Sequence, residues 1–219
     1  TQWDHLCEGS AGPGPHRIRI SPYDPERRVW VVNETFHQIY VFSNDGREHL
    51  MTLGEKNVPG DDETHFGRPQ DVAFLPDGRI LVADGLDNHR VVILDPDGRY
   101  LGEFGGQGEA PGQFNGIHAI GIGPDGLIFA LDRSGGRVNV FRTTNDPARV
   151  EHVDTWDGDG AGLGLTLDII VNEESLWFTA LGPLRFVKLD FEGRHLYTWL
   201  VPSDLPDGYR EVHTISVDS

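Results

Sequence analysis

Three histidines stand at the start of similar apolar segments, and together they could bind a metal ion. They are His16 in GPHRIRIS, His118 in GIHAIGIG and His213 in EVHTISVD, at intervals of 102 and 95 residues. Three imidazoles with an open fourth position form the usual pattern of a catalytic zinc site. A single histidine at such a position would more simply hydrogen-bond within the fold. We predict that the trio binds zinc if the fold brings the segments together.

The elements that must position the histidines belong to a repeat of about 50 residues that contains four short apolar segments. Opening segments begin at His16, Gln70, His118, Leu167 and His213. Fourth segments begin near Glu48, Arg99, Arg149 and Arg194. Turn pairs such as Asp45-Gly46 and Asp97-Gly98 precede the fourth segments, as β-hairpins require. The repeat therefore predicts units of four antiparallel strands.

Units of this length and strand number are typical of β-propeller blades. We predict an all-β, six-bladed propeller, of which the chain supplies four full blades and the start of a fifth. Blades one, three and five of such a ring are about 120° apart, so the histidines would converge on its axis. We expect residues 1–219 to form one domain with an incomplete ring, and we interpret the chain as cropped. Residues 1–12 are then an N-terminal extension or a closing strand.

Composition narrows the classes of function. A formal charge of −17 argues against nucleic acid as a partner, because phosphate binding needs a basic surface. No apolar run approaches the roughly 20 residues of a membrane helix. Cys7 is the single cysteine and excludes an intrachain disulfide. We expect a soluble protein, cytoplasmic or exported, that acts on a small molecule. The oligomeric state is left open, as is a signal peptide removed before Thr1.

Longer stretches of the chain carry a family resemblance, which runs from about Pro13 to the C-terminus. They include LGEKNVPGDDETHFGRPQDVAF, VADGLDNHRVVILDPDGR, PGQFNGIHAIGI and ALDRSGGRVNVF. With these the chain resembles NHL-repeat propellers, and more closely the peptidyl-α-hydroxyglycine α-amidating lyases. The resemblance implies a six-bladed NHL propeller that cleaves the N–C bond of a carbinolamide to give an amide and glyoxylate.

The resemblance also implies roles for single residues. His16, His118 and His213 match the zinc ligands of the family. Arg133 matches an arginine at the mouth of the active site, where a guanidinium could hold a substrate carboxylate by two hydrogen bonds. The alternative is a surface arginine paired with Asp132. The family has a calcium site in the channel as well, but Thr214 stands where its aspartate ligand would be.

One departure from the family affects the chemistry directly. Leu86 occupies the place of the catalytic tyrosine, and a leucine can neither take nor give a proton. His65, Asp87 and His89 lie in the matching loops and are candidate replacements. We favour His65 as the catalytic group, because imidazole titrates near neutral pH. Alternatively, zinc supplies the chemistry without a protein base, by lowering the pKa of a bound water.

Two functions remain open at this point. The first is a zinc-dependent, lyase-like enzyme that acts on a small polar substrate bearing a carboxylate. The second is a non-catalytic NHL propeller that serves as a binding scaffold. The three histidines favour the enzyme, because a scaffold has no need for imidazoles that face inward. Leu86 favours either the scaffold or a changed reaction.

Overall fold

The described part of the chain is built from β-strands. The computed structural model describes Leu6 and residues 14–157, 163–181 and 184–201. Among these residues, no helix is long and apolar enough to cross a membrane. The strands are β1 (Pro15–Ile20), β2 (Val29–Asn33), β3 (Gln38–Phe42), β4 (His49–Leu53), β5 (Pro69–Phe74), β6 (Ile80–Asp84), β7 (Arg90–Leu94), β8 (Tyr100–Gly105), β9 (Ile117–Ile122), β10 (Ile128–Asp132), β11 (Arg137–Thr143), β12 (Val150–Asp157), β13 (Leu165–Val171), β14 (Leu176–Leu181), β15 (Arg185–Leu189) and β16 (His195–Leu200).

Each run of four consecutive strands forms one antiparallel sheet, which we call blade 1, 2, 3 or 4 in chain order. The opening strands β1, β5, β9 and β13 pack against one another in sequence, and they surround the space that we call the channel. The predicted all-β propeller is confirmed, with four blades in the described part. His213 and Thr214 lie outside the described residues, as do residues 1–5 and 7–12 of the predicted N-terminal segment. The six-bladed ring stays a prediction.

The hydrophobic core lies between neighbouring blades. The middle strands β2, β3, β6, β7 and β10 are buried along their whole length, because the faces of a blade pack against the blades on either side. Trp30 of blade 1 packs edge-on to Phe74 of blade 2. Phe129 of blade 3 joins a cluster with Phe178 of blade 4. This burial is the main driving force for assembling the blades.

A β-bulge interrupts the opening strand of each blade at the same place. In blade 1, Pro15 pairs with Asn33 and Arg17 pairs with the adjacent Val32, so His16 is the extra residue. The extra residues of blades 2, 3 and 4 are Gln70, His118 and Leu167. A bulge bends the strand locally and re-aims a side chain. The four positions that the repeat identified as equivalent are therefore equivalent in structure as well.

Candidate active site

The two described histidines of the predicted trio meet in the channel. The ring centroids of His16 and His118 are 5.0 Å apart, and the rings lie edge to face at 83°. The two residues come from blades 1 and 3, and His118 is completely buried. The structure thus brings together residues 102 positions apart in the sequence, as the alternation of the repeat predicts.

Hydrogen bonds to the backbone fix the orientation of both imidazoles. Nδ1 of His16 lies 2.8 Å from the carbonyl oxygen of Gln70. Nδ1 of His118 lies 2.6 Å from the carbonyl oxygen of Leu167. A carbonyl oxygen can only accept, so Nδ1 carries the hydrogen in each ring, and the lone pair of the neutral imidazole is on Nε2. Histidine ligands of metals commonly donate the second ring N–H in this way. The orientation of the two imidazoles is therefore that of a pair of zinc ligands.

The third predicted ligand, His213, lies outside the described residues. Within the described ranges, no group of three His, Cys, Asp or Glu side chains is arranged to hold a metal ion. The described part therefore supplies two of the three predicted ligands.

Arg133, the predicted substrate contact, follows strand β10 at the end nearest His118. Its backbone N–H donates to Gly116 O at 3.0 Å. The carboxylate of Asp132 accepts from Arg137 Nε at 3.0 Å and from the backbone of residues 115, 116 and 135. Asp132 is thus the partner of Arg137, and in the described part no carboxylate forms an ion pair with Arg133. Arg133 is half-buried.

Glu34 is a candidate site residue that the sequence analysis missed. Glu34 directly follows strand β2, just as Arg133 directly follows β10. The last residues of these two strands, Asn33 and Asp132, pair with the residues that directly precede His16 and His118 in the opening strands. Oε2 of Glu34 accepts from Gln70 Nε2 at 2.8 Å and from Arg68 Nη2 at 3.1 Å. Burial alone would raise its pKa, but Gln70, His16 and Arg68 together hold the pKa of Glu34 below its ordinary value. An alignment of the residues that follow the second strand of each repeat places Glu34 at the same position as Arg133, so the sequence did contain a signal for it.

Leu86 occupies the corresponding loop of blade 2. A Cβ atom placed on Gly116 would lie 3.7 Å from Leu86 Cδ2, so the leucine side chain borders the segment that leads into His118. Asp87 is exposed in the same loop and donates its backbone N–H to Gly67 O at 3.3 Å. His89 has a positive φ of 56° in the turn before β7. Leu86 thus faces the site with an apolar side chain.

His65, the predicted catalytic residue, lies toward the outer edge of the blades. It lines a cleft of about 610 Å³ together with residues of β4 and β8, the outermost strands of blades 1 and 2. Its Nδ1 is 2.9 Å from both carboxylate oxygens of Asp62, and its Nε2 is 3.7 Å from Glu55 Oε2. The histidine pair lies on the innermost strands instead. The catalytic role of His65 stays a prediction.

The pKa of His65 is expected to be above 6.5, because the hydrogen bond to Asp62 and the charge of Asp62 raise it, with a smaller effect of Glu55. NMR titration should show this, and Asp62→Asn should return the pKa towards 6.5. The contribution to stability is fully present below the unfolded-state pKa and is lost as the pH rises through the higher folded-state pKa. Equal pKa values of His65 in the two proteins would contradict the assignment. Asp45→Asn, in a distant exposed turn, is the control.

Comparison with known proteins finds one NHL repeat in the chain and similarity to amidating lyases. The NHL repeat family matches residues 66–94, which cover most of blade 2. Peptidyl-α-hydroxyglycine α-amidating lyase 1 of Drosophila melanogaster is 33% identical over 158 residues, which are 66% of this chain and 28% of the relative. Peptidyl-glycine α-amidating monooxygenase of Mus musculus is 33% identical over 136 residues, which are 59% of this chain and 14% of the relative. The matched part is thus less than a third of either relative.

Solved structures show the same fold at lower identity. Selenomethionine-substituted virginiamycin B lyase from Staphylococcus aureus superposes with a TM-score of 0.59 at 16% identity. The match covers 91% of this chain and 59% of the other. At this identity the likeness concerns the propeller fold alone.

Proposed function

We propose that this chain, a β-propeller that contains an NHL repeat and resembles the peptidyl-α-hydroxyglycine α-amidating lyases, is a zinc-dependent, lyase-like enzyme. Its substrate is a small polar molecule with a carboxylate, bound in the channel of a six-bladed ring. The observation that carries the proposal is the meeting of His16 and His118, each with Nδ1 bound to a carbonyl oxygen. His213 is the proposed third ligand. When bound, zinc supplies a Lewis acid that polarises a substrate oxygen.

The chain's own residues bind and orient the substrate. Arg133 is at the end of β10 in blade 3, and its guanidinium would take the carboxylate with two parallel hydrogen bonds. Glu34 occupies the matching place in blade 1, where its ionised carboxylate would accept a hydrogen bond from an N–H or O–H group. A substrate held between these residues has a fixed direction relative to the histidine pair. With a guanidinium in blade 3 and a carboxylate in blade 1, the site suits a molecule with a carboxylate at one end and a hydrogen-bond donor at the other.

Proton transfer is where this site differs most from the family pattern. Leu86 has no group that exchanges a proton. His65 is the proposed acid or base, and its raised pKa keeps a larger fraction of the side chain protonated than in an unperturbed histidine at the same pH, which favours a role as general acid. A movement of the 54–68 loop would be needed to bring His65 from the outer cleft to the channel. If His65 stays in the outer cleft, the reaction must proceed without a side-chain base at the position that Leu86 occupies.

Two measurements on the purified chain test the proposal. Elemental analysis of protein prepared without chelators should find about one equivalent of zinc, the stoichiometry of a single catalytic site. Incubation with an N-acyl-α-hydroxyglycine should release glyoxylate and the corresponding amide. Zinc below about a tenth of an equivalent would refute the metalloenzyme. Bound zinc without glyoxylate release would refute the amidating-lyase chemistry but not the metal site.

The substrate role of Arg133 has its own test. Arg133→Ala should raise KM for the N-acyl-α-hydroxyglycine by roughly 10–150-fold, because one charged hydrogen-bonded contact contributes about 1.5–3 kcal/mol. Arg133→Lys should recover only part of the loss, because lysine cannot form the two-bond arrangement. Arg149→Ala is the matched control, since Arg149 is an exposed arginine of blade 3 that pairs with Asp146. An unchanged KM for Arg133→Ala would remove Arg133 from the substrate site.

No observation in the described residues specifically favours the scaffold. A scaffold would not require two imidazoles oriented by backbone carbonyls in the channel.

A further inference from the structure

Directly beside the histidine pair, four charged side chains form a network in the channel, which we call the channel network. It consists of Arg17, Arg19, Asp71 and Asp168. Arg17 donates from Nη1 and Nη2 to the two carboxylate oxygens of Asp168, both at 2.9 Å. Arg19 donates from Nε and Nη2 to the two oxygens of Asp71, both at 3.0 Å. Arg17 Nε is 3.5 Å from Asp71 Oδ1 and so joins the two pairs.

Three of the four members of the channel network are buried, Arg19 is partly exposed, and the network joins distant parts of the chain. Asp71 and Asp168 are completely buried, and Arg17 is only 4% exposed. Arg17 belongs to blade 1 and Asp168 to blade 4, 151 residues further along the chain. Buried charges are stable only when they are paired and hydrogen-bonded. Each member of the network therefore depends on the others for its position.

The channel network is connected to both histidines. Asp71 directly follows Gln70, whose carbonyl oxygen accepts from His16. Asp168 directly follows Leu167, whose carbonyl oxygen accepts from His118. The carboxylates thus anchor the two backbone segments that orient the imidazoles.

Two further links tie the network to the histidine strands. Arg17 is the residue after His16 in β1. Asp71 Oδ2 accepts from the backbone N–H of Ile120, two residues after His118 in β9, at 3.2 Å. A displacement of the Asp71 carboxylate would therefore move the carbonyl oxygen that accepts from His16, and also the strand β9 that carries His118.

We propose that the channel network is a positioning device for the histidine pair. Its members do not touch the substrate. They hold the carbonyl oxygens of Gln70 and Leu167 so that the Nδ1 hydrogens of both imidazoles are engaged and Nε2 is directed to the metal. This inference rests on the proposed zinc site, but the tautomer and orientation of the imidazoles can be measured without metal.

The test uses three variants of the full chain: Arg17→Gln, Asp168→Asn and the double variant with both changes. The single variants leave one buried charge without its partner and are expected to unfold easily. The double variant removes both charges together and is the informative protein. The matched control protein carries Arg90→Gln and Asp84→Asn together, because Arg90 and Asp84 form an equally buried pair that lies on β7 and β6 rather than on a channel strand that carries a histidine.

In the metal-free protein, nitrogen NMR of the histidine side chains reports the tautomer. Wild type and the control protein should show Nδ1–H for His16 and His118, whereas the double variant Arg17→Gln/Asp168→Asn should show a mixture of tautomers. With metal, zinc affinity measured by chelator competition should fall by about 10–100-fold in the double variant, as expected for loss of groups that orient metal ligands. The Co²⁺ absorption spectrum should change as well.

The outcomes separate the two proposals. If the folded double variant keeps the tautomers, the zinc affinity and the Co²⁺ spectrum of the wild type, the network is structural only. Equal loss of affinity in the control protein would overturn the inference too, since the effect would then follow from stability alone. If wild type binds neither zinc nor Co²⁺, the proposed function fails, and the tautomers still decide whether the network orients the histidines.

Discussion

Replacing His118 by alanine is expected to reduce bound zinc from about one equivalent to below a tenth. The loss of one of three protein ligands leaves a site with two, and zinc is then held too weakly to survive purification. His118 is fully buried at its bulge, so alanine also removes packing in the channel. Zinc content is measured after purification without chelators. Circular dichroism of the same samples establishes that the blades are folded.

A matched change elsewhere distinguishes a ligand from a general effect of losing an imidazole. His195→Ala removes an exposed histidine of blade 4 that hydrogen-bonds to Thr198 at 2.7 Å. This control should retain full zinc loading. His118→Gln keeps more of the side-chain volume than alanine does, and it should also lose the metal. Full loading of His118→Ala would show that the metal binds at another place.

Asp132→Ala is expected to lower the free energy of unfolding by about 3–5 kcal/mol, the usual cost of breaking a buried ion pair from one side. The carboxylate accepts from Arg137 Nε at 3.0 Å and from the backbone N–H groups of Asn115, Gly116 and Gly135 at 2.9–3.1 Å. Alanine leaves these buried donors without an acceptor. Equilibrium unfolding in urea gives the difference directly.

The control for this prediction is Asp125→Ala in an exposed turn of the same blade. Asp125 accepts from the backbone N–H of Leu127 at 3.2 Å, so its removal should cost about 1 kcal/mol or less. A loss at Asp132 no larger than at Asp125 would contradict the assigned role. Since Asp132 fixes the turn that carries Arg133, we also expect a higher KM in Asp132→Asn at temperatures where it remains folded.

Much of the fold could be predicted from the sequence, because blade formation depends on local patterns. The fourth strands were expected near Glu48, Arg99, Arg149 and Arg194, and they begin one residue later in every blade. Hairpin turns and alternating apolar residues are read within a few positions of the chain. The equivalence of the four opening residues follows from the same repeat. The total number of blades does not, since it depends on the closure of the ring.

The site was predictable only in part, for a physical reason. His16 and His118 were identified because they occupy repeat positions. The contact of Arg17 with Asp168 was missed because it joins residues 151 positions apart, and no local pattern records which charges meet across a channel. The outer position of His65 was missed as well, because it follows from the path of the 54–68 loop.

The bulge in each opening strand has a consequence for how such a site can change in evolution or by design. The bulged residue has no partner of its own in the neighbouring strand, so its identity is not constrained by strand pairing. Histidine, glutamine, histidine and leucine occupy this place in successive blades of one chain. Ligands could therefore be added or removed one blade at a time while the register of every sheet is kept. Gln70 and Leu167 are the positions at which a new histidine would be introduced first.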